Sequence, residues 1–316
     1  MKDIKIRLYQ PGDEVGITEL FKEVFGREMF LDEWRWKYIE SYPGKVYSTV
    51  AVHEELGVVG HYGAVRLPMI YKGRLSWGLA ICDVMILPPF RGIKTLKKIS
   101  CLTPREGIQE GDCLLGYGFP NRDTLLKPAL NLGIYEIVED VMEAVKEVNF
   151  HDNVNRYRFK LFPLDYSDFR IDRLWNRCKE KLTLAVVRDR RYLTWRYKNH
   201  PLYHYELWGL RGRIGRSLVG LAVLKREGDR VLLVDFLSAK ERLPALLEKI
   251  ENLAYSGGAG TLTLWVPPFM ANTFTTLGFS IKKSATAIPR TTQEPTLAKE
   301  DIAGHFFYTM GDTDFL

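Results

Sequence analysis

The chain has 316 residues, 46% of them hydrophobic, and a net charge of +6, with an isoelectric point near 9.0. That length and apolar content suffice for two ordinary domains with sizeable cores and exclude global disorder. No apolar run approaches the roughly 18 residues of a membrane span; the mild basic excess suits an anionic ligand, and no aromatic-basic stripe points to nucleic acid.

The opening residues, MKDIKIRLYQPGDE, carry no apolar signal core. Cys82, Cys101, Cys113 and Cys178 show no CxxC spacing. The expectation is a cytoplasmic protein with reduced, buried thiols. His200 and His204 flank Pro201 with no carboxylate pair nearby, so no metal is expected.

Ile4, Ile6 and Leu8 alternate and predict a strand. Pro11-Gly12-Asp13 turns into a helix with Ile17, Leu20, Phe21, Val24 and Phe25 on one face, stopped by Gly26. A second helix carries Trp34-Arg35-Trp36-Lys37-Tyr38 and ends at Pro43-Gly44. Strands are predicted at 46–52 and 58–67, with a turn at Tyr71-Lys72-Gly73. An apolar strand, Ala80 to Leu87, then breaks at Pro88-Pro89 and turns through Phe90-Arg91-Gly92. Helical spacing restarts with Ile93, Leu96, Ile99 and Leu102. Further on, 114–117 reads as a strand, 124–132 as a helix closed by Gly133, and 135–150 as one strand or two.

The second half repeats this order. Tyr157, Phe159 and Leu161 alternate, and a helix with Phe169, Leu174, Trp175 and Cys178 follows Asp165. The run Trp195-Arg196-Tyr197-Lys198 echoes Trp34-Arg35-Trp36-Lys37. Strands are predicted at 203–210, 217–225, 231–237, 261–266 and 305–310, with helices at 243–254 and 270–277. Trp34 and Trp195 lie 161 residues apart, Asp83 and Asp235 152, and Gly133 and Gly278 145. The smooth drift predicts an internal duplication. The boundary is expected at residues 152/153, giving domains 1–152 and 153–316.

The strand, turn and helix from Ala80 to Leu102 make a natural anion site. The first turn of a helix leaves N–H groups unpaired, and its dipole adds partial positive charge. Arg91, Lys94, Lys97 and Lys98 add cations.

The order strand, helix, helix, three strands, helix, strand, helix, strand occurs in both halves. With the Pro-Pro-Phe-Arg-Gly turn it resembles the GCN5-related N-acetyltransferase (GNAT) superfamily, in tandem. The resemblance implies an α/β fold of two GNAT-like domains, each a mixed twisted sheet flanked by helices. In that family the fourth strand ends in Q/R-x-x-G-x-G/A, whose amides hold the pyrophosphate of acetyl-CoA. Arg91 matches the first position; Lys94 and Leu96 stand where glycines would be. Arg91, Gly92, Ile93, Lys94, Thr95 and Leu96 are therefore the implied pyrophosphate residues. Amides of Val84, Met85 and Ile86 are the implied pantetheine ligands, and Asn121, after the fifth strand, stands where many members place an Asn that touches the cofactor. Leu132-Gly133-Ile134 and Leu277-Gly278-Phe279 resemble the family's Leu-Gly-Phe. The tyrosine that many members carry four residues before that glycine is Ala129 in one half and Phe274 in the other. The second half has no glycine in Leu237–Arg242, so its cofactor motif reads as degenerate. The register Ile93, Leu96, Ile99 predicts that Leu96 turns into the core.

Three side chains are candidates for proton transfer. Asp83 sits in an apolar strand beside Cys82, where burial would raise its pKa; a hydrogen-bonded structural aspartate is the competing reading, favoured by its counterpart Asp235. His61 lies on the strand that lines the acceptor side in this fold. Tyr117 ends the fifth strand near the implied sulfur position. The functional expectation is an N-acyltransferase using acetyl-CoA, or another acyl-CoA, on a small-molecule amine such as an amino sugar, without a metal. Two other readings are a degenerate GNAT-like binding protein and a tRNA-dependent aminoacyl transferase.

Overall fold

The computed structural model describes residues 4–42, 44–122, 126–151, 158–212, 217–294 and 296–313. The expected boundary at 152/153, together with Pro43, Thr124 and Tyr157, lies outside the described residues. Two compact units form. The first takes residues 1–69, 75–140 and 285–303; the second takes 70–74, 141–284 and 304–316. The units are therefore not two consecutive lengths of chain, as a simple duplication predicts.

The first unit begins with β1 (Ile4–Leu8), α1 (Asp13–Phe25), α2 (Leu31–Tyr38), β2 (Tyr47–His53), β3 (Gly57–Tyr71) and β4 (Arg74–Ile86). It continues with α3 (Ile93–Gln109), β5 (Cys113–Tyr117), α4 (Lys127–Asn131) and the first part of β6 (Tyr135–Glu147). The second unit holds the rest of β6, then β7 (Phe159–Pro163), α5 (Arg170–Lys179), β8 (Leu184–Val186), α6 (Arg190–Leu193), β9 (Glu206–Gly212) and β10 (Leu218–Glu227). There follow β11 (Arg230–Ser238), α7 (Leu243–Ser256), β12 (Thr261–Val266) and α8 (Ala271–Thr276). Next, β13 (Ser280–Thr291) starts in the second unit and ends in the first, where α9 (Lys299–Ile302) follows; β14 (Phe306–Phe307) returns to the second.

Both sheets are mixed. In the first unit the strand order is β1-β2-β3-β4-β5-β13-β6, with β4 and β5 parallel. In the second it is β6-β12-β11-β10-β9-β7, with β11 and β12 parallel. The second part of β13 fills the place between β5 and β6, through pairs such as Arg290↔Tyr117. Sequence alone leaves 280–291 out, because Lys282, Lys283, Pro289 and Arg290 interrupt its apolar pattern. The strand predicted at 305–310 shrinks to Phe306–Phe307. One core cluster of the first unit gathers Ala51, Val59, Tyr62, Ile86, Ile99 and Ile134 under α3. Of the four free cysteines, Cys82 and Cys178 are buried, Cys113 is partly covered and Cys101 is exposed, which corrects the expectation of four buried thiols.

Candidate active site

β4 outruns its neighbour β5. Parallel pairing with β5 runs from Trp77↔Cys113 to Ala80↔Tyr117 and stops. β4 goes on to Ile86. On its other edge β3 stays bonded, since Leu87 N–H donates to the Val59 carbonyl at 2.9 Å. Successive amides of an extended strand face opposite edges. Met85 N–H therefore faces β3, as Leu87 does, while Val84 and Ile86 N–H face the edge that β5 has left. Of the three amides implied by the family pattern, two face that edge and one faces β3. Gly118 lets the chain leaving β5 pass close to β4: a Cβ there would lie 2.9 Å from the Ile81 carbonyl oxygen.

Beyond β4, a single 3₁₀ turn at Pro88–Phe90 leads into α3. Gly92 caps the helix without a side-chain bond. Leu96 N–H donates to the Gly92 carbonyl, so the first turn's earlier amides point out of the helix start. Gly92 has φ 171°, an extended value open to any residue. A Cβ on it would meet nothing within 4 Å. Neither backbone strain nor internal packing explains this glycine. Arg91 Nε donates to the Ile86 carbonyl at 2.9 Å, which sets the guanidinium at the end of the free edge. Lys94, Lys97 and Lys98 are exposed and Thr95 is half-buried. Leu96 is 8% exposed and packs with Ile86, Phe90 and Ile99 in the core, as its register predicts. Ile93 does not follow that register: it is 64% exposed, because the helix start projects beyond the sheet.

Asp83 interrupts β4. Its φ of 47° is left-handed, one of three such values among described non-glycine residues. Aspartate tolerates this region better than most residues. Three neighbours hold it there. Lys37 Nζ bonds both carboxylate oxygens at 3.0 and 3.1 Å, and Tyr38 donates its hydroxyl at 2.7 Å. His61 Nδ1 lies 2.7 Å from the Asp83 carbonyl. A carbonyl only accepts, so Nδ1 carries a proton. Burial and the Lys37 charge hold its pKa down, outweighing the opposing pull of Asp83. Its Nε2 is buried with no hydrogen-bond partner among the described residues. For Asp83, burial pushes the carboxyl up, but Lys37, His61 and the Tyr38 hydrogen bond outweigh it, and the net direction is down. The raised pKa that a catalytic base needs is therefore not found; burial is overcome by a buried ion pair whose side chains are each 4% exposed. Gly63 makes room for the cluster, since a Cβ would overlap the Tyr38 hydroxyl and the His61 ring.

The remaining candidates scatter. Tyr117 stands where β4 and β5 part, 1% exposed, edge-on to Phe119. Asn121 is exposed and bridges to Thr286 on β13. Ala129 and Phe274, where family members carry tyrosine, are both buried. A hydroxyl pair that the sequence did not single out lies nearby in the first unit: Tyr62 of β3 and Tyr135 of β6 share a hydrogen bond. Tyr62 is buried; Tyr135 is half-buried and, with Ile81, Val84 and Leu132, packs against the α3 core cluster. Burial raises both phenol pKa values, so both stay protonated at neutral pH. A weak signal existed: Tyr135 stands two residues after Gly133, where the other half has Ser280 after Gly278.

The second unit repeats the tyrosine–aspartate device with a different cation. Asp235 of β11 accepts from Tyr197 at 2.8 Å and from Arg188 Nε at 2.9 Å.

Three solved structures share this architecture across most of the chain. A conserved protein of unknown function from Enterococcus faecalis V583, given as a probable N-acyltransferase, aligns over 92% of this chain and 73% of its own at 13% identity, with a TM-score of 0.71. A GCN5-related N-acetyltransferase from Kribbella flavida aligns over 92% and 71%, at 12% identity and TM-score 0.67. The chain has the GNAT fold. The tandem form of that fold is matched by Saccharomyces cerevisiae N-myristoyltransferase with bound myristoyl-CoA, over 94% of this chain and 80% of the enzyme, at 9% identity and TM-score 0.62. No family model matches the sequence, and no curated protein matches it. The GNAT likeness is therefore carried by structure. Among the described residues, no helix is long and apolar enough to cross a membrane.

Proposed function

We propose that the first unit binds an acyl-CoA along the free edge of β4 and passes its acyl group to the amine of a small molecule. The observation that carries this reading is the parting of β4 and β5 after Ala80↔Tyr117, with β4 running on to Ile86 and leading through one turn to a helix start that has no side-chain cap. The myristoyl-CoA bound to the yeast neighbour supports an acyl-CoA ligand. Pyrophosphate would meet the amides of Ile93, Lys94 and Thr95, with Arg91 and Lys94 as cations. Gly92 leaves that approach open. Leu96 stays in the core and does not crowd it, so the missing glycines are tolerable. Val84 and Ile86 amides would bond pantetheine and polarise the thioester carbonyl.

In the proposed reaction the amine nitrogen attacks the thioester carbon and the C–S bond breaks. The amine's proton leaves through water, and the thiolate takes a proton from Tyr135, which regains one from solvent. Asp83, His61, Lys37 and Tyr38 hold the irregularity in β4 rather than move protons. Tyr117 marks the point of parting. Asn121 would approach the cofactor from beyond β5. The second unit shapes the protein without a CoA site of its own. Replacing Gly92 with valine tests the reading: affinity for acetyl-CoA should fall at least tenfold while the melting temperature holds. Unchanged affinity would place the ligand elsewhere.

A further inference from the structure

In the second unit, β11 and β12 also part. Their parallel pairing ends at Leu232↔Thr263, while β11 runs on to Ser238. A cleft of about 580 Å³ opens beyond that point, within the range of about 300–1,000 Å³ typical of small-ligand sites. Its walls are apolar: Leu174, Val219, Phe236, Leu237, Met270 and Phe307. Phe269, 48% exposed, stands at the same cleft. Arg177, Lys181, Lys240 and Arg242 also line it, against one carboxylate, Glu241.

These cations differ in how far they are committed. Lys181 pairs with Glu241 at 3.5 Å, and Arg242 lies over the Phe159 ring. Arg177 donates to the Leu218 carbonyl. Lys240 is exposed and has no carboxylate partner among the described residues. The helix start contributes little. Arg242 and Leu243 N–H both donate to the Ala239 carbonyl, and Pro244 has no N–H. A pyrophosphate would find no amide cradle there, but a single anionic group would find side-chain cations at the edge of an apolar cleft.

We propose that this cleft binds an amphipathic anion: an aliphatic chain carrying one carboxylate or phosphate head. The chain displaces water from the Leu174, Phe236 and Phe307 walls, and the head meets Arg177 and Lys240. This does not depend on the reading of the first unit. It also gives the Leu237–Arg242 segment a function despite its lack of glycine.

The test is calorimetry on the full chain with dodecanoate, dodecyl phosphate and dodecanol, each below its aggregation threshold. At least one of the two anions should bind once per chain, and dodecanol at least tenfold more weakly. Preference between the anions identifies the head. Lys240→Glu, an exposed change, should weaken anion binding at least tenfold, and Thr273→Trp should block the cleft. Saturating acetyl-CoA should not displace the anion. The proposal fails if neither anion binds, if dodecanol matches them, if acetyl-CoA competes, or if folded Lys240→Glu keeps full affinity.

Discussion

Replacing Asp83 with asparagine should cost the first unit much of its stability. Asparagine keeps the shape and tolerates the left-handed φ of 47°. What changes is charge: the Lys37 ammonium, whose side chain is 4% exposed, loses its counter-ion. Removing one partner of a buried pair costs about 3–5 kcal/mol, a large share of the roughly 5–15 kcal/mol that holds a domain folded. Adding Lys37→Met removes the stranded charge, so the double variant should be no less stable than Asp83→Asn alone. Urea unfolding of the parent, both single variants and the double variant measures this. The pH dependence follows the same pair. The folded Asp83 pKa lies below its ordinary value, so its contribution is present above about pH 4 and is lost as pH falls through the folded value. Asp83→Asn should remove that acid-side loss. A cost below about 1 kcal/mol for either single variant would mean that the pair is a surface-like contact and that something else holds β4 in its irregular path.

Further expectations follow from the helix start and the hydroxyl pair. Arg91→Glu should weaken CoA binding at least tenfold, read by calorimetry, with little change in melting temperature, since Arg91 is exposed. Leu96→Ala should cost about 2–5 kcal/mol by denaturant unfolding because Leu96 is packed in the core, whereas Lys94→Gly should lower CoA affinity modestly. A tenfold gain in CoA affinity on Leu96→Gly would make Leu96 an obstruction and the protein a non-catalytic binder. Tyr135→Phe should keep acetyl-CoA affinity and lower turnover by about 10²-fold or more if it supplies the proton; thiol release measures this.

Much of the fold was legible because its signals are local. Two prolines and a glycine between an apolar run and a helical period mark the turn from β4 to α3, and the observed break falls there. The Leu96 register is likewise local. The repeat of Asp83 at Asp235 was also readable, and both aspartates accept from a tyrosine on a preceding helical segment. The identity of the partners was not. The Trp34/Trp195 register aligns Tyr197 with Trp36, yet the tyrosine that bonds Asp83 is Tyr38. The two segments also differ in winding: α2 is a regular helix, while Thr194–Lys198 forms a wider π turn. Burial alone would raise the Asp83 pKa; the Lys37 charge that lowers it comes from 46 residues away, beyond any local sequence pattern. Membership of β13 in the first unit was invisible for the same reason: no local pattern says which sheet edge a returning strand will fill. The position of Tyr135 after Gly133 was a weak local signal, but its partner Tyr62, 73 residues away, was hidden by sequence separation.

An acyl-CoA site at the free edge of β4 must show itself in ligand binding. Calorimetric titration of the full chain with CoA, acetyl-CoA and a longer acyl-CoA tests it most directly. Acetyl-CoA should bind saturably at one site per chain, and at least tenfold more weakly to Arg91→Glu. Binding of none of the three would contradict it, and two acetyl-CoA sites per chain would show that the Leu237–Arg242 turn holds a cofactor after all.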